Sequence, residues 1–247
     1  MTGWQAAPAG RAPAPLAIDD VDVWRMRLVQ SPAQLAVLAG TLSADEVSRA
    51  GRFYFARDRD AYIAARGVLR TLIAGYTGTA PGALVFGYRD KGKPYLEAPA
   101  GELRFNVSHS GEFALLAFAR RGELGVDIEQ RRALDDLLRL AEASFSAHEY
   151  AVLCGLPAAA HSDAFFACWS RKEAFIKATG EGIGQLEAFD VSLVPGEPAR
   201  LLRVDGSPPG ELPWAMHELP AIPGHAAALV VESHRARIRC WDWLPAA

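Results

Sequence analysis

The segment FFACWSRKEAFIKATGEGIG, residues 165–184, carries the densest pattern in the chain. Apolar and charged side chains alternate at the spacing of an amphipathic helix, and Gly180 is placed to end it. Glu173 and Lys177 are four residues apart, so a helix carries them on one face. The segment predicts a packed helix that presents a carboxylate and an ammonium group together. An exposed Glu–Lys pair is the simpler interpretation unless the chain supplies partners for Glu173.

Length and composition indicate an ordinary globular protein. The chain has 247 residues, 50% of them hydrophobic and 22% charged, and its net charge of −3 gives no general signal for nucleic-acid binding. The cysteines Cys154, Cys168 and Cys240 form neither a metal motif nor a disulfide framework, which points to a reducing compartment. No apolar run approaches the roughly 20 residues of a membrane helix. We expect a cytoplasmic protein without a nucleic-acid or membrane partner.

The remaining sequence alternates between helical and strand-like patterns. Residues 1–18 are rich in alanine and proline and are predicted to form a flexible tail. Ser31 and Ser43 are placed as N-caps of helices, the second within a capping box. Three apolar segments between residues 103 and 129 predict an antiparallel meander, and five short strand patterns after residue 184 predict a final sheet.

Two carboxylates lie in the last strand of the predicted meander. Asp127 and Glu129 are two residues apart, so a strand places both on one face, where they repel each other unless a cation, a proton or an arginine compensates. With Glu173 they would complete an all-oxygen site that suits Mg²⁺, and Mn²⁺ also suits it. The alternative is an edge strand with two solvated acids, because Asp-x-Glu alone is a weak signal.

Five motifs, taken together and in order, resemble the signatures of the Sfp-type 4′-phosphopantetheinyl transferases. They are GKPY at 92–95, FNVSHS at 105–110, GVDIE at 125–129, FSAHE at 145–149 and WSRKEAFIK at 169–177. The resemblance extends from about residue 43 to about residue 232. Enzymes of this family transfer the phosphopantetheine arm of coenzyme A to a serine of a carrier protein and release 3′,5′-ADP.

The resemblance implies roles for the charged residues of the last motifs. Asp127, Glu129 and Glu173 would hold Mg²⁺ on the pyrophosphate of coenzyme A. Lys177 would contact the pyrophosphate and stabilise negative charge in the transition state. Lys172 would bind phosphate or fix the site.

The resemblance also implies a carboxylate that accepts the proton of the carrier serine. Glu149 matches the family's general base and would take that proton directly or through water. The alternative is that a metal-bound water or Asp127 does this work, while Glu149 only caps a helix.

The upstream motifs imply contacts with coenzyme A. Ser108 and His109 match a pair that contacts the region of its 3′-phosphate, and Lys93 matches a lysine of the coenzyme A pocket. Arg49 and Arg52 lie where the family places basic residues for the nucleotide phosphates.

The implied fold is α+β, with two similar subdomains about a pseudo-twofold axis and coenzyme A in the cleft between them. Residues 19–124 would form the N-terminal subdomain on the nucleotide side, and residues 125–247 the C-terminal subdomain with the metal and catalytic carboxylates. We expect a monomer whose partner is an apo acyl or peptidyl carrier domain.

Two alternative functions are a non-catalytic coenzyme A-binding protein of the same fold and a Mg²⁺-dependent phosphohydrolase. The chain has no P-loop or phosphatase nucleophile motif, which counts against the phosphohydrolase.

Overall fold

Helices packed against two sheets form the framework of the protein. The computed structural model describes residues 3–7, 14–99, 101–181, 183–205, 207 and 211–245, without the side chains of 183–185. Its helices are α1 (Pro32–Ala39), α2 (Ala44–Ala50), α3 (Ala56–Thr77), α4 (Leu137–Ser144), α5 (Ala147–Gly155) and α6 (His161–Thr179). Its strands are β1 (Gln5–Ala6), β2 (Asp20–Arg27), β3 (Val85–Tyr88), β4 (Pro94–Ala98), β5 (Arg104–Ser110), β6 (Phe113–Ala119), β7 (Leu124–Gln130), β8 (Phe189–Val191), β9 (Leu201–Val204), β10 (Ala215–Glu218), β11 (His225–Val231) and β12 (Arg237–Asp242). This is the predicted α+β class.

The two main sheets draw on distant parts of the sequence. One has five strands in the order β1-β12-β2-β6-β5, and the other has three in the order β10-β11-β7. β12 runs parallel to β2, so the last strand of the chain completes a sheet that also contains strands of the first half. Strands β3 and β4, and β8 and β9, form two separate pairs. The division into residues 19–124 and 125–247 stays a prediction, and β12 crosses it.

The predicted meander forms only in part. β5 pairs with β6, but β6 pairs on its other side with β2, and β7 pairs with β11. The third strand was therefore assigned to the wrong neighbour. Side chains of β5 connect it to β7 instead: Oδ1 of Asn106 accepts a hydrogen bond from the backbone N–H of Val126 at 2.9 Å, and Oγ of Ser110 accepts one from Gln130 at 2.9 Å. Alternate polar residues on one face of β5 thus replace a backbone ladder.

The N-terminal segment is packed where the structure describes it. β1 pairs in parallel with β12, and Nε1 of Trp4 donates to the carbonyl of Pro220 at 3.1 Å. Ala7 and Leu16 are buried. These contacts differ from the flexible tail predicted from composition, because the few apolar side chains in residues 3–7 and 14–18 find a surface to cover. Residues 1, 2 and 8–13 of that predicted tail lie outside the described residues.

The predicted helix ends are confirmed. Oγ of Ser31 accepts from the N–H of Gln34, and the capping boxes of Ser43 and Ser146 are both present. Helix α6 ends at Gly180 in the left-handed conformation, with φ of 77°. Among the described residues, no helix is at once long enough and apolar enough to span a bilayer.

Helix α6 lies across β7 and β11 at very short range. Gly125 of β7 marks the closest approach, since a Cβ atom there would lie 2.1 Å from the carbonyl oxygen of Ala174 and 2.3 Å from the nitrogen of Ala178. The missing side chain lets the backbones of strand and helix meet. This contact places the charged residues of α6 beside the carboxylates of β7.

Candidate functional site: a carboxylate cluster between α6 and β7

Asp127 is the centre of a polar cluster between helix α6 and strand β7. Its side chain is 2% exposed, and its Oδ1 accepts a hydrogen bond from Oγ of Ser108 at 2.8 Å. Nζ of Lys177 lies 2.5 Å from the same oxygen and 2.9 Å from Oγ of Ser108. A helix residue, a residue of β7 and a residue of β5 therefore meet at one carboxylate oxygen.

Glu129 and Glu173 face this cluster. Oγ of Ser110 donates to Glu129 at 3.0 Å, which repeats the arrangement of Ser108 one step along both strands. Burial, together with the negative charge of Asp127, raises the pKa of Glu129. Burial also raises the pKa of Glu173; the ammonium group of Lys177 opposes this, while the charges of Asp127 and Glu129 add to it. The charge of Lys177 thus acts on three carboxylates at once.

The cluster has the chemistry of a cation site. Oδ2 of Asp127 is buried and has no hydrogen-bond partner in the described part of the chain. An orphaned carboxylate oxygen beside two carboxylates of raised pKa is the donor set that a hard divalent cation prefers. As they are placed, the described residues contain no group of three His, Cys, Asp or Glu side chains close enough to hold a metal ion. The metal triad therefore stays a prediction, supported by donor type and burial.

Glu149 and Lys172 form a separate, buried ion pair away from this cluster. Nζ of Lys172 donates to both carboxylate oxygens of Glu149, at 2.9 and 2.7 Å, and to the carbonyl of Phe189 at 2.8 Å. Glu149 also accepts from the N–H groups of Ser146 and Val191, at 2.9 and 2.8 Å. Both residues are 0% exposed. This placement does not fit phosphate binding by Lys172 or proton acceptance by Glu149, because neither residue lines the two cavities described below. It fits the other roles considered for them, in which Lys172 fixes the site and Glu149 caps a helix.

Ser108 and His109 point to opposite sides of β5. Ser108 belongs to the carboxylate cluster, whereas His109 is exposed and lines a large cavity of about 1110 Å³. The cavity reaches Gln130, the residue after Glu129, so it opens next to the cluster. Its basic and aromatic lining consists of Arg49, Arg57, Arg66, His109, Phe53, Tyr62 and Tyr88. The predicted pair is therefore divided between two neighbouring parts of one site.

Of the predicted arginines, the structure brings one to this cavity. Arg49 lines it, with its guanidinium group 5.5 Å from the ring centre of Tyr62. Arg52 is exposed and is not part of the lining. Arg66 also lines the cavity and hydrogen-bonds to Glu46, a role for which the long helical pattern gave only a weak signal. In the sequence, this role of Arg66 was indicated only by its position, three turns into α3 and on the helix face that carries Tyr62.

Lys93 lies outside the lining of the large cavity, in contact with the end of α6. Its Nζ donates to Glu123 at 2.7 Å, to the carbonyl of Ala178 at 2.8 Å and to that of Leu124 at 3.2 Å. Burial lowers the pKa of Lys93, against the opposing effect of Glu123. Glu123 and Ala178 also line a second, smaller cavity of about 360 Å³, whose wall includes Phe175. Lys93 therefore connects the β3–β4 pair to β7 and α6 beside this cavity.

Ser110 of β5 is a site residue that the sequence analysis missed, and Ser108 was predicted for a different contact. Ser110 was part of a quoted motif without a role, yet it contacts Glu129 just as Ser108 contacts Asp127. The signal was available, because Ser108 and Ser110 share the period of a strand with the two acids. What the sequence did not reveal is that β5 and β7 lie side by side.

Comparison with known proteins matches both halves of the chain to one family. Residues 123–230 match the family described as "4'-phosphopantetheinyl transferase superfamily", and residues 29–121 match "4'-phosphopantetheinyl transferase, N-terminal". The 4'-phosphopantetheinyl transferase HetI of Nostoc sp. is 39% identical over 227 residues, which are 91% of this chain and 93% of that protein. The 4'-phosphopantetheinyl transferase of Bacillus subtilis is 32% identical over 157 residues, 63% of this chain and 68% of that protein.

A mammalian relative matches over a shorter part of its length. The L-aminoadipate-semialdehyde dehydrogenase-phosphopantetheinyl transferase of Rattus norvegicus is 30% identical over 175 residues, which cover 66% of this chain and 57% of that protein. The two family matches cover most of the chain between them, and the similarity to HetI covers 91% of it. The chain therefore belongs to the 4′-phosphopantetheinyl transferase superfamily and is a transferase of this kind.

Proposed function

We propose that this transferase is of the Sfp type and moves the 4′-phosphopantetheine arm of coenzyme A to a serine of an apo carrier protein. The leaving product would be 3′,5′-ADP. The observation that carries this proposal is the ion pair of Asp127 with Lys177, close enough to Glu129 and Glu173 to act on their charges, beside a cavity with a basic and aromatic lining. The bond to be broken joins two anionic phosphates, so the reaction needs positive charge close to that bond.

The large cavity is the proposed site for the nucleotide part of coenzyme A. His109, Arg49 and Arg66 supply hydrogen-bond donors and positive charge for phosphate groups, and Tyr62 and Phe53 supply aromatic surface. Lys93 is proposed to act at the other end of the ligand, since it lies beside the smaller cavity at the end of α6. Arg52, which does not line the large cavity, is left with a long-range electrostatic role at most.

The carboxylate cluster is the proposed site of a divalent cation, Mg²⁺ or Mn²⁺. Asp127, Glu129 and Glu173 would hold it, and the cation would neutralise charge on the pyrophosphate linkage and on the leaving 3′,5′-ADP. Lys177 holds an ammonium group at the same place and would contact the pyrophosphate. Ser108 and Ser110 orient the two strand carboxylates by donating to them. The residues of this chain thus supply three carboxylates and one ammonium group, that of Lys177, to the site.

The proton of the carrier serine needs an acceptor with a free lone pair. Both oxygens of Glu149 already accept two hydrogen bonds each, so Glu149 is left out of this role. The acceptor is then left between the two predicted alternatives, Asp127 and a metal-bound water, because the unpartnered Oδ2 of Asp127 is already assigned to the cation. We propose that the chain acts as a cytoplasmic monomer on acyl or peptidyl carrier domains. For the rat relative, the name of the protein gives L-aminoadipate-semialdehyde dehydrogenase as the protein to which the phosphopantetheinyl group is transferred.

Intact-protein mass spectrometry of apo carrier domains tests the proposal. Peptidyl, acyl and aminoadipate-dehydrogenase-type carriers would be incubated with this protein, coenzyme A and Mg²⁺, with a chelator and a serine-to-alanine carrier as controls. The expected result is a gain of one phosphopantetheine arm on the serine carrier, lost with the chelator. If no carrier gains mass although coenzyme A binds, the proposed transfer is wrong. A gain that persists with the chelator would reject the cation assignment alone.

A further inference from the structure

The buried pair Glu149–Lys172 ties together three elements that surround the site. Glu149 begins α5, Lys172 lies in the middle of α6, and the pair hydrogen-bonds to the backbone on both sides of Asp190, through Phe189 and Val191 of β8. Four hydrogen bonds from three donor groups reach the two oxygens of Glu149, and three acceptor atoms surround the ammonium group of Lys172. Every hydrogen-bonding position of both charges is used, which is the condition for a buried pair to be tolerated and rigid.

The pair fixes the rotation of α6 about its own axis. Residues of an α-helix are about 100° apart, so Glu173 lies about 100° and Lys177 about 140° around the helix from Lys172. Glu173 and Lys177 therefore share a face toward β7, while Lys172 anchors a different face against α5 and β8. A small rotation that releases Lys172 would turn Glu173 and Lys177 away from Asp127.

We infer that Glu149 is a positioning residue, which acts through Lys172 to hold Glu173 and Lys177 against β7, and that it does not accept the proton of the carrier serine. This inference rests on the proposed function for its catalytic consequence. Its structural part, the coupling of Glu149 to Lys172, rests on the contacts alone.

Three variants separate a positioning residue from a proton acceptor: Glu149→Gln, Lys172→Met and the double variant E149Q/K172M. Each single variant leaves one buried charge without its partner, whereas the double variant removes both charges at similar volume. We expect each single change to lower the thermal midpoint, to weaken coenzyme A binding at least about tenfold and to lower kcat by roughly a hundredfold or more. The double variant should recover the midpoint and the binding, and most of kcat, with an unchanged pH profile.

The outcomes distinguish the two roles and the proposed function itself. A double variant that recovers stability and coenzyme A binding but stays as inactive as Glu149→Gln would overturn the inference and make Glu149 the proton acceptor. Failure of the double variant to recover either stability or binding would also overturn it, because the two charges would then not act as one unit. If wild-type protein transfers nothing to any carrier, the proposed function fails, and the stability and binding data still decide whether the pair positions α6.

Discussion

Nζ of Lys177 lies 2.5 Å from Oδ1 of Asp127, so the ammonium group of α6 is bonded to the central carboxylate of β7. This contact joins the two motifs that carry most of the family's charged residues. It also neutralises only one of three neighbouring carboxylates, since Glu129 and Glu173 both have raised pKa values. The site is therefore held in an electrostatically unfavourable arrangement, as is common where charge is used for chemistry.

Replacement of Glu173 by Gln should separate activity from stability. The substitution removes a half-buried negative charge that Asp127 and Glu129 repel, so the free energy of unfolding should stay the same or rise by about 0.5–2 kcal/mol, and the thermal midpoint should not fall. Transfer to a carrier should fall at least about a hundredfold, because one of the three proposed cation ligands loses its charge. Melting curves and carrier assays measure both effects. Glu142→Gln, on the exposed surface of α4, is the matched control and should change neither.

Unchanged transfer by Glu173→Gln would remove Glu173 from the catalytic site. A large loss of stability would instead show that its carboxylate is structurally required, contrary to the repulsion inferred here.

Gly125 should be intolerant of any side chain. A Cβ atom at this position would overlap the backbone of α6 near Ala174 and Ala178, and backbone atoms cannot move aside as a flexible side chain can. Gly125→Ala should therefore lower folding stability by about 1–3 kcal/mol or more. It should also reduce transfer strongly, because the added Cβ displaces α6, and Glu173 and Lys177 move away from β7 with the helix. Urea unfolding and carrier assays measure the two losses.

Gly155→Ala provides the comparison, because a Cβ at that position meets nothing within 4 Å. It should leave activity unchanged and stability the same or slightly higher. Equal stability of the two variants would mean that α6 and β7 have more room than their contact indicates.

Coenzyme A affinity should depend on the lining of the large cavity. His109→Ala and Arg49→Ala remove groups that face it, and each should raise KM for coenzyme A roughly tenfold with a smaller effect on kcat, since charge-assisted hydrogen bonds to phosphate are worth about 1.5–3 kcal/mol. The matched control is Arg235→Ala, an exposed arginine outside the cavity lining. A rise in KM for the control as large as that for Arg49→Ala would point to a general charge effect instead of a binding site.

Local features of the fold could be predicted from the sequence, and long-range partners could not. The helix that ends at Gly180 and the N-caps Ser31 and Ser43 follow from side-chain chemistry within a few residues. The neighbours of β7 depend on β11, about a hundred residues later, and the apolar pattern of three consecutive strands gave the wrong pairing. Strand β12 reaches β2 across more than two hundred residues, and no local pattern encodes such a contact.

The candidate site shows the same division between pattern and packing. Period 2 in β7 and period 3.6 in α6 were enough to put Asp127 and Glu129 on one face and Glu173 with Lys177 on another, and the structure brings the two faces together. The burial of Glu149 could not be read from its motif. Its capping box was visible in the sequence, but its second partner, Lys172, is 23 residues away and meets it only because α5 packs on α6.

Acid should weaken the protein through Glu46, a buried carboxylate of α2 that contacts Arg66 of the large cavity's lining. Burial alone would raise its pKa, but hydrogen bonds from Arg70, at 2.6 Å, and from Arg66 outweigh burial and lower it. A carboxyl group whose folded pKa is depressed contributes stability above its ordinary pKa of about 4.5 and loses that contribution as the pH falls through the folded value.

Glu46→Gln should therefore cost about 3 kcal/mol of folding stability near neutral pH, because it leaves the buried guanidinium of Arg70 without its counter-charge. The gap to wild type should narrow steadily below about pH 4.5 in chemical unfolding curves recorded across pH. Asp58→Asn, in an ion pair whose arginine side chain is 86% exposed, should differ from wild type by no more than about 1 kcal/mol throughout. A gap for Glu46→Gln that stays constant down to pH 3 would mean that the loss arises from packing and not from charge.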